Sequence, residues 1–207
     1  MSPDAQSARD DLAFLRAIVG DDESLQMRSF GKVYFVSGLI YGGQMILHAV
    51  QALGLVPNTP LFSLAIGLGP TVVFIPVLIA ITWGSWMNNA GSTVNRAIGA
   101  VFGAIGLTNL ALIAIIGSVA LHERSVQIWL IFPCCVFVLQ GTAWLFAFMM
   151  RRRSWFVLVA IGWYVSAIAM ALSIFSIGWF ILFGGLGLWG CMALPGWLML
   201  RQAKPTA

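Results

Sequence analysis

Tyr34-Phe-Val-Ser-Gly-Leu-Ile-Tyr-Gly-Gly-Gln-Met-Ile-Leu-His-Ala-Val-Gln51 decides how the chain is read. Wound at about 100° per residue, it places Tyr34, Ser37, Tyr41, Gln44, His48 and Gln51 at successive spacings of 3, 4, 3, 4 and 3, inside one arc of roughly 100°. No other residue between 34 and 51 is polar. Gly38, Gly42 and Ala49 make a strip of small residues beside that arc. Phe35, Val36, Leu39, Ile40, Ile46, Leu47 and Val50 fill the rest. The stretch therefore predicts a helix with a polar face, a close-packing face and a lipid face.

The surrounding chain agrees with a bilayer as the solvent. Of its 207 residues 60% are hydrophobic and 9% charged, with a mean hydropathy of +0.93. Soluble domains carry about 25% charged residues. Six apolar runs, near 33–54, 61–83, 96–119, 127–150, 154–176 and 178–200, each reach the roughly 20 residues a helix needs to cross. The expected fold is an all-α, polytopic bundle of six transmembrane helices at 33–200. A polar segment, 1–32, precedes it and a tail, 201–207, follows. The first run is about 22 residues, longer than a signal-peptide core, and reads as a retained span.

Charge sets the expected orientation. Ten of the eleven Lys and Arg residues fall before span one, between spans two and three or four and five, or after span six; Arg124 alone falls on the other side. The positive-inside rule then predicts both termini inside, with the protein in the inner (plasma) membrane. Arg151-Arg152-Arg153 reads as a topogenic signal that also meets lipid headgroups. Trp83, Trp86, Trp155 and Trp197 are expected at the inner interface, Trp129 and Trp179 at the outer one.

The N-terminal segment holds six of the seven acidic residues. Ser7-x-x-Asp10 resembles a capping box. Leu12, Phe14, Leu15, Ile18 and Val19 give the following turns one apolar side, and Gly20 is placed to end a short amphipathic helix. Such a helix suits the membrane surface or a protein partner.

Within the spans, Gly38-x-x-x-Gly42 and Gly99-x-x-x-Gly103 let helix backbones approach closely. Both lie near the inner ends of spans running the same way, so spans one and three are expected to pack there; dimerisation is the rival use. Pro70 and Pro76 in span two, Pro133 in span four and Pro195 in span six each remove a helical hydrogen bond. Carbonyls near Ile66 and Val72 then need other partners.

Gln44, Asn109 and Gln140 lie near the midplane. An amide without a partner in hydrocarbon costs several kcal/mol, so these three are expected to face inward, as interhelical glue or as a constriction. The polar line from Tyr34 to Gln51 climbs about 25 Å, long enough to line a path for a neutral or zwitterionic solute. No Asp, Glu, Lys or Arg lies in the central part of a span, which argues against a proton-driven carrier. His48 and His122 are on the same side of the bilayer, and haem or a metal between them is a third reading. Cys134, Cys135 and Cys191 form no CxxC and read as packing residues, so no metal site or cofactor is assigned. Neither HExxH, GxSxG nor a phosphate loop occurs.

The expected function is non-enzymatic: an accessory, assembly or sensor-like membrane module. Its partners would be lipids, a protein met through the N-terminal segment, or a second copy of itself, and not nucleic acid. The alternatives are the small channel or facilitator and the His48 haem or metal protein.

Overall fold

The computed structural model describes the backbone of residues 3–87 and 93–202, with side chains from Met27 onward apart from several between 82 and 95. The apolar side expected of residues 7–20 and the interfacial positions of Trp86 and Lys204 lie outside the described residues. Every element is helical: α1 (Pro3–Ala52), α2 (Pro60–Met87), α3 (Thr93–His122), α4 (Val126–Arg151), α5 (Trp155–Leu172), α6 (Ile177–Leu188), a π-helical turn (Trp189–Ala193) and α7 (Leu194–Gln202). Among the described residues six stretches are long and apolar enough to cross a membrane: Met27–Ala52, Leu61–Ile81, Arg96–His122, Val126–Arg151, Trp155–Leu172 and Ile177–Gln202. The last comprises α6, the π turn and α7.

Two boundaries differ from the sequence expectation. No short helix ends at Gly20, because α1 runs unbroken for 50 residues, about 75 Å at 1.5 Å per residue. One interior glycine costs a helix only about 1 kcal/mol, too little to break it among good helix formers. The fifth span is the shorter one, 18 residues. It stops where the Ser173 N–H turns back to the carbonyls of Ala169 and Met170, at 3.2 and 3.0 Å. Helix resumes at Ile177.

The helices pack in the order α2, α1, sixth span, α5, α4, α3. Helix α1 is central, with α2 on one side and the whole sixth span on the other. Helices α2 and α3 are peripheral, and each has one extended interface, with α1 and α4 respectively. Close approach explains the α1–sixth span contact. A Cβ on Gly38 would overlap the backbone of Ala193, one on Gly42 would overlap the Trp189 indole, and one on Gly196 would overlap the Phe35 backbone.

This corrects the expected pairing of spans one and three. Gly38 and Gly42 lie on the π turn of the sixth span, whereas a Cβ at Gly99 or Gly103 would meet nothing within 4 Å. The turn supplies the physical reason. Pro195 cannot donate to the carbonyl of Cys191, and the Leu194 N–H reaches back to Trp189 instead. Ala193 and Trp189 of this turn lie against α1, where only glycine leaves room.

At the arginine-rich end α4 closes on Arg152, whose N–H bonds to the Phe148 carbonyl at 2.7 Å. Arg152 takes a left-handed conformation, φ 55° and ψ 25°, and so folds the arginine triplet into the tight link to α5. At its other end Ser125 caps α4, its hydroxyl accepting from the Ile128 N–H at 3.4 Å.

Candidate functional site

The polar face of α1 is divided among different neighbours. At its arginine-rich end, the Tyr34 hydroxyl donates to Gln140 Oε1 at 2.7 Å and accepts from Trp144 Nε1 at 3.1 Å. Gln140 and Trp144 are one turn apart on α4 and share a face. Tyr34 is 4% exposed and Trp144 1%, whereas Gln140 is half-buried. Phe30 stacks on Tyr34 with ring centroids 4.7 Å apart, and Phe102 of α3 meets Tyr34 edge-on at 5.8 Å. Phe156 and Trp155 of α5 reach Trp144 at 5.2 and 5.7 Å. Trp155, at the first turn of α5, is half-buried and packs into this aromatic cluster.

Further along, Ser37 is buried and its hydroxyl returns to the Val33 carbonyl of its own helix at 2.7 Å. Tyr41 and Gln44 face α2. The Tyr41 ring lies 5.4 Å from Phe74, and Gln44 Nε2 donates to the Gly67 carbonyl at 3.1 Å. That carbonyl is next to Ile66, whose usual donor Pro70 lacks. Gln44 therefore supports the α2 backbone one turn before Pro70. Gln51 closes the connection between α1 and α2, its Nε2 donating to Ser63 Oγ at 2.8 Å and lying 3.3 Å from the Pro57 carbonyl. His48 has no hydrogen-bond partner among the described residues.

The midplane amides do not converge. Gln44 bonds towards α2 and Gln140 towards Tyr34. Asn109 lies on α3 with its Oδ1 buried and without a partner among the described residues. The reason is the helix order: α2 and α4 are on different sides of α1, and α3 is reached through α4. Helices α1, α3 and α4 do meet, through Phe30, Tyr34, Phe102 and Trp144, but no hydrogen bond among the described residues joins Gln44, Asn109 and Gln140 to one another. His48 and His122 lie on α1 and α3, which share no extended interface among the described residues. Helices α1 and α3 meet through Phe30, Tyr34 and Phe102 near the arginine-rich end, whereas both histidines are near the opposite ends of those helices.

The sequence reading did not identify the apolar recess beside the tyrosine trio. Met27, Phe30, Gly99, Phe102, Trp144 and Phe156 are among the residues that surround it, with Arg151 at one edge. The available signal was the i, i+4 pair Gln140 and Trp144 on the helix that ends in three arginines. Cys134 and Cys191 are buried and Cys135 is half-buried, and the Cys134 thiol points to the Leu130 carbonyl at 3.4 Å.

Comparison with protein families, with curated proteins and with solved structures finds no match to this chain.

Proposed function

We propose that the chain is a multi-pass plasma-membrane protein, with both termini on the cytoplasmic side, that acts by contact with a protein partner and with lipid rather than by catalysis. The observation that carries this reading is the incomplete packing of α2 and α3. Each has one extended helix neighbour, and Gly67, Gly69, Gly99, Gly103 and Gly106 on these two helices all have open space where a Cβ would be. Small residues in membrane helices commonly mark places where another helix approaches. The continuous α1 adds a second surface, since its first 24 residues extend about 36 Å beyond Met27. The channel reading has less support, because the polar face it would use is divided among α4, α2 and a connecting loop.

Native mass spectrometry of the full chain, extracted gently from its own membrane, tests the proposal. A second polypeptide in fixed ratio is expected, lost on removal of residues 1–24 or on Gly103→Ile. A partner retained equally by both variants would remove these surfaces from the interface. A bare monomer with measurable solute flux in proteoliposomes would favour the channel instead.

A further inference from the structure

The recess at the arginine-rich end has a volume of about 70 Å³. Ligand sites for whole small molecules usually enclose about 300–1,000 Å³, so this one suits the end of a chain better than a compact ligand. Its walls are almost wholly apolar, from Met27, Phe30, Phe102, Trp144 and Phe156. Arg151 is the one charged residue among its described lining residues. A second guanidinium is beside it, with Arg153 Nη1 3.9 Å from the sulfur of Met27 in the wall. Trp144 is seven residues before Arg151 on α4, about 10 Å deeper along the helix axis.

The opening has a direction. Helices α1 and α3 share no extended interface among the described residues. Gly99 lines the recess, is exposed, and has open space beside it. A chain arriving from the bilayer can therefore enter past Gly99, beside the edge-on Phe30–Phe102 contact that joins α1 to α3 there. Arginine at an apolar slot selects for phosphate, which a guanidinium meets with paired donors.

We propose that this recess binds one acyl chain of an anionic phospholipid, with its phosphate head held at Arg151 and Arg153. The proposal deepens the lipid part of the proposed function and is independent of a protein partner.

The test is lipid retention by the full-length protein, read by native mass spectrometry after equilibration with phosphatidylglycerol or phosphatidylcholine vesicles. One phosphatidylglycerol per chain is expected, retained about tenfold more tightly than phosphatidylcholine. Gly99→Leu should fill the slot and lose that lipid, while Gly106→Leu, at an equally open position on the same helix, should keep it. Arg151→Gln should keep a lipid but lose the preference for the anionic head, which gives a reading even if Gly99→Leu fails to fold. Equal retention of the two lipids by the unaltered protein would overturn the proposal. So would retention unchanged in a folded Gly99→Leu, a preference unchanged in Arg151→Gln, or binding of free fatty acid without phospholipid. None of these outcomes bears on whether a second polypeptide is present, so failure here leaves the protein-partner reading standing.

Discussion

Tyr34 carries the most consequence per atom, because its hydroxyl serves two buried groups at once. Tyr34→Phe leaves the Trp144 N–H and the Gln140 carbonyl without that partner. It should cost about 1–3 kcal/mol, measured by reversible unfolding in mixed detergent micelles. Gln140→Leu should cost less, since Trp144 keeps its acceptor, and a double-mutant cycle should show the two positions coupled. Gln44→Leu tests a different role. It removes the donor from the Gly67 carbonyl and should weaken α2 by about 0.6–2 kcal/mol, seen as faster amide exchange around Pro70 with little change elsewhere. Periodicity pointed to Tyr34 and Gln44 as inward-facing, and the cost of an unpaired amide near the midplane pointed to Gln140. Neither could say that Gln44 and Gln140 serve different interfaces, because a wheel gives the direction of a side chain and not the identity of the neighbour it faces.

At the scale of elements, the two glycine pairs are chemically alike and structurally opposite. Gly38→Val and Gly42→Val force a side chain into the sixth span and should destabilise by about 1–3 kcal/mol or more. Gly99→Ala and Gly103→Ala meet open space and should be neutral or gain up to about 1 kcal/mol of helix propensity. Thermal unfolding of the four variants decides between this arrangement and packing of span one on span three, which predicts equal damage from both pairs. The motif was legible and its partner was not. A small-residue pair records that some backbone comes close, whereas the approaching surface here is a π turn whose register depends on Pro195 and the Leu194 N–H. Arg152 gives a related expectation. It holds a left-handed conformation that suits glycine, so Arg152→Gly should raise stability by about 1 kcal/mol while removing one charge from the triplet.

For the molecule as a whole, orientation is the first matter to test. Glu123→Cys should react with an impermeant thiol reagent in intact cells, and Gln202→Cys only after the membrane is opened. The reverse pattern would invert the proposed topology. Span positions were legible to within a few residues because the width of a bilayer imposes a length on every crossing helix. The first span begins six residues earlier than expected, at Met27, and the fifth ends four residues earlier, where serine and local turn geometry halt a run that hydropathy alone would continue. The sequential order of helices in the bundle was not legible, since six similar apolar segments admit many arrangements and the differences lie in shape.

That order also bears on how the protein is made. The glycine face of α1 is completed by Ala193 and Trp189, which a ribosome adds roughly 150 residues later. At about 5–20 residues per second the interval is roughly 8–30 s. During it the first span sits in or beside the translocon with its principal contact surface uncovered, and four other spans must be threaded before the matching one exists. The nascent chain is therefore most exposed to misassembly and membrane proteolysis in the interval before its last segment emerges. Truncations that remove only the C-terminal helix should be cleared from cells more quickly than their small size suggests.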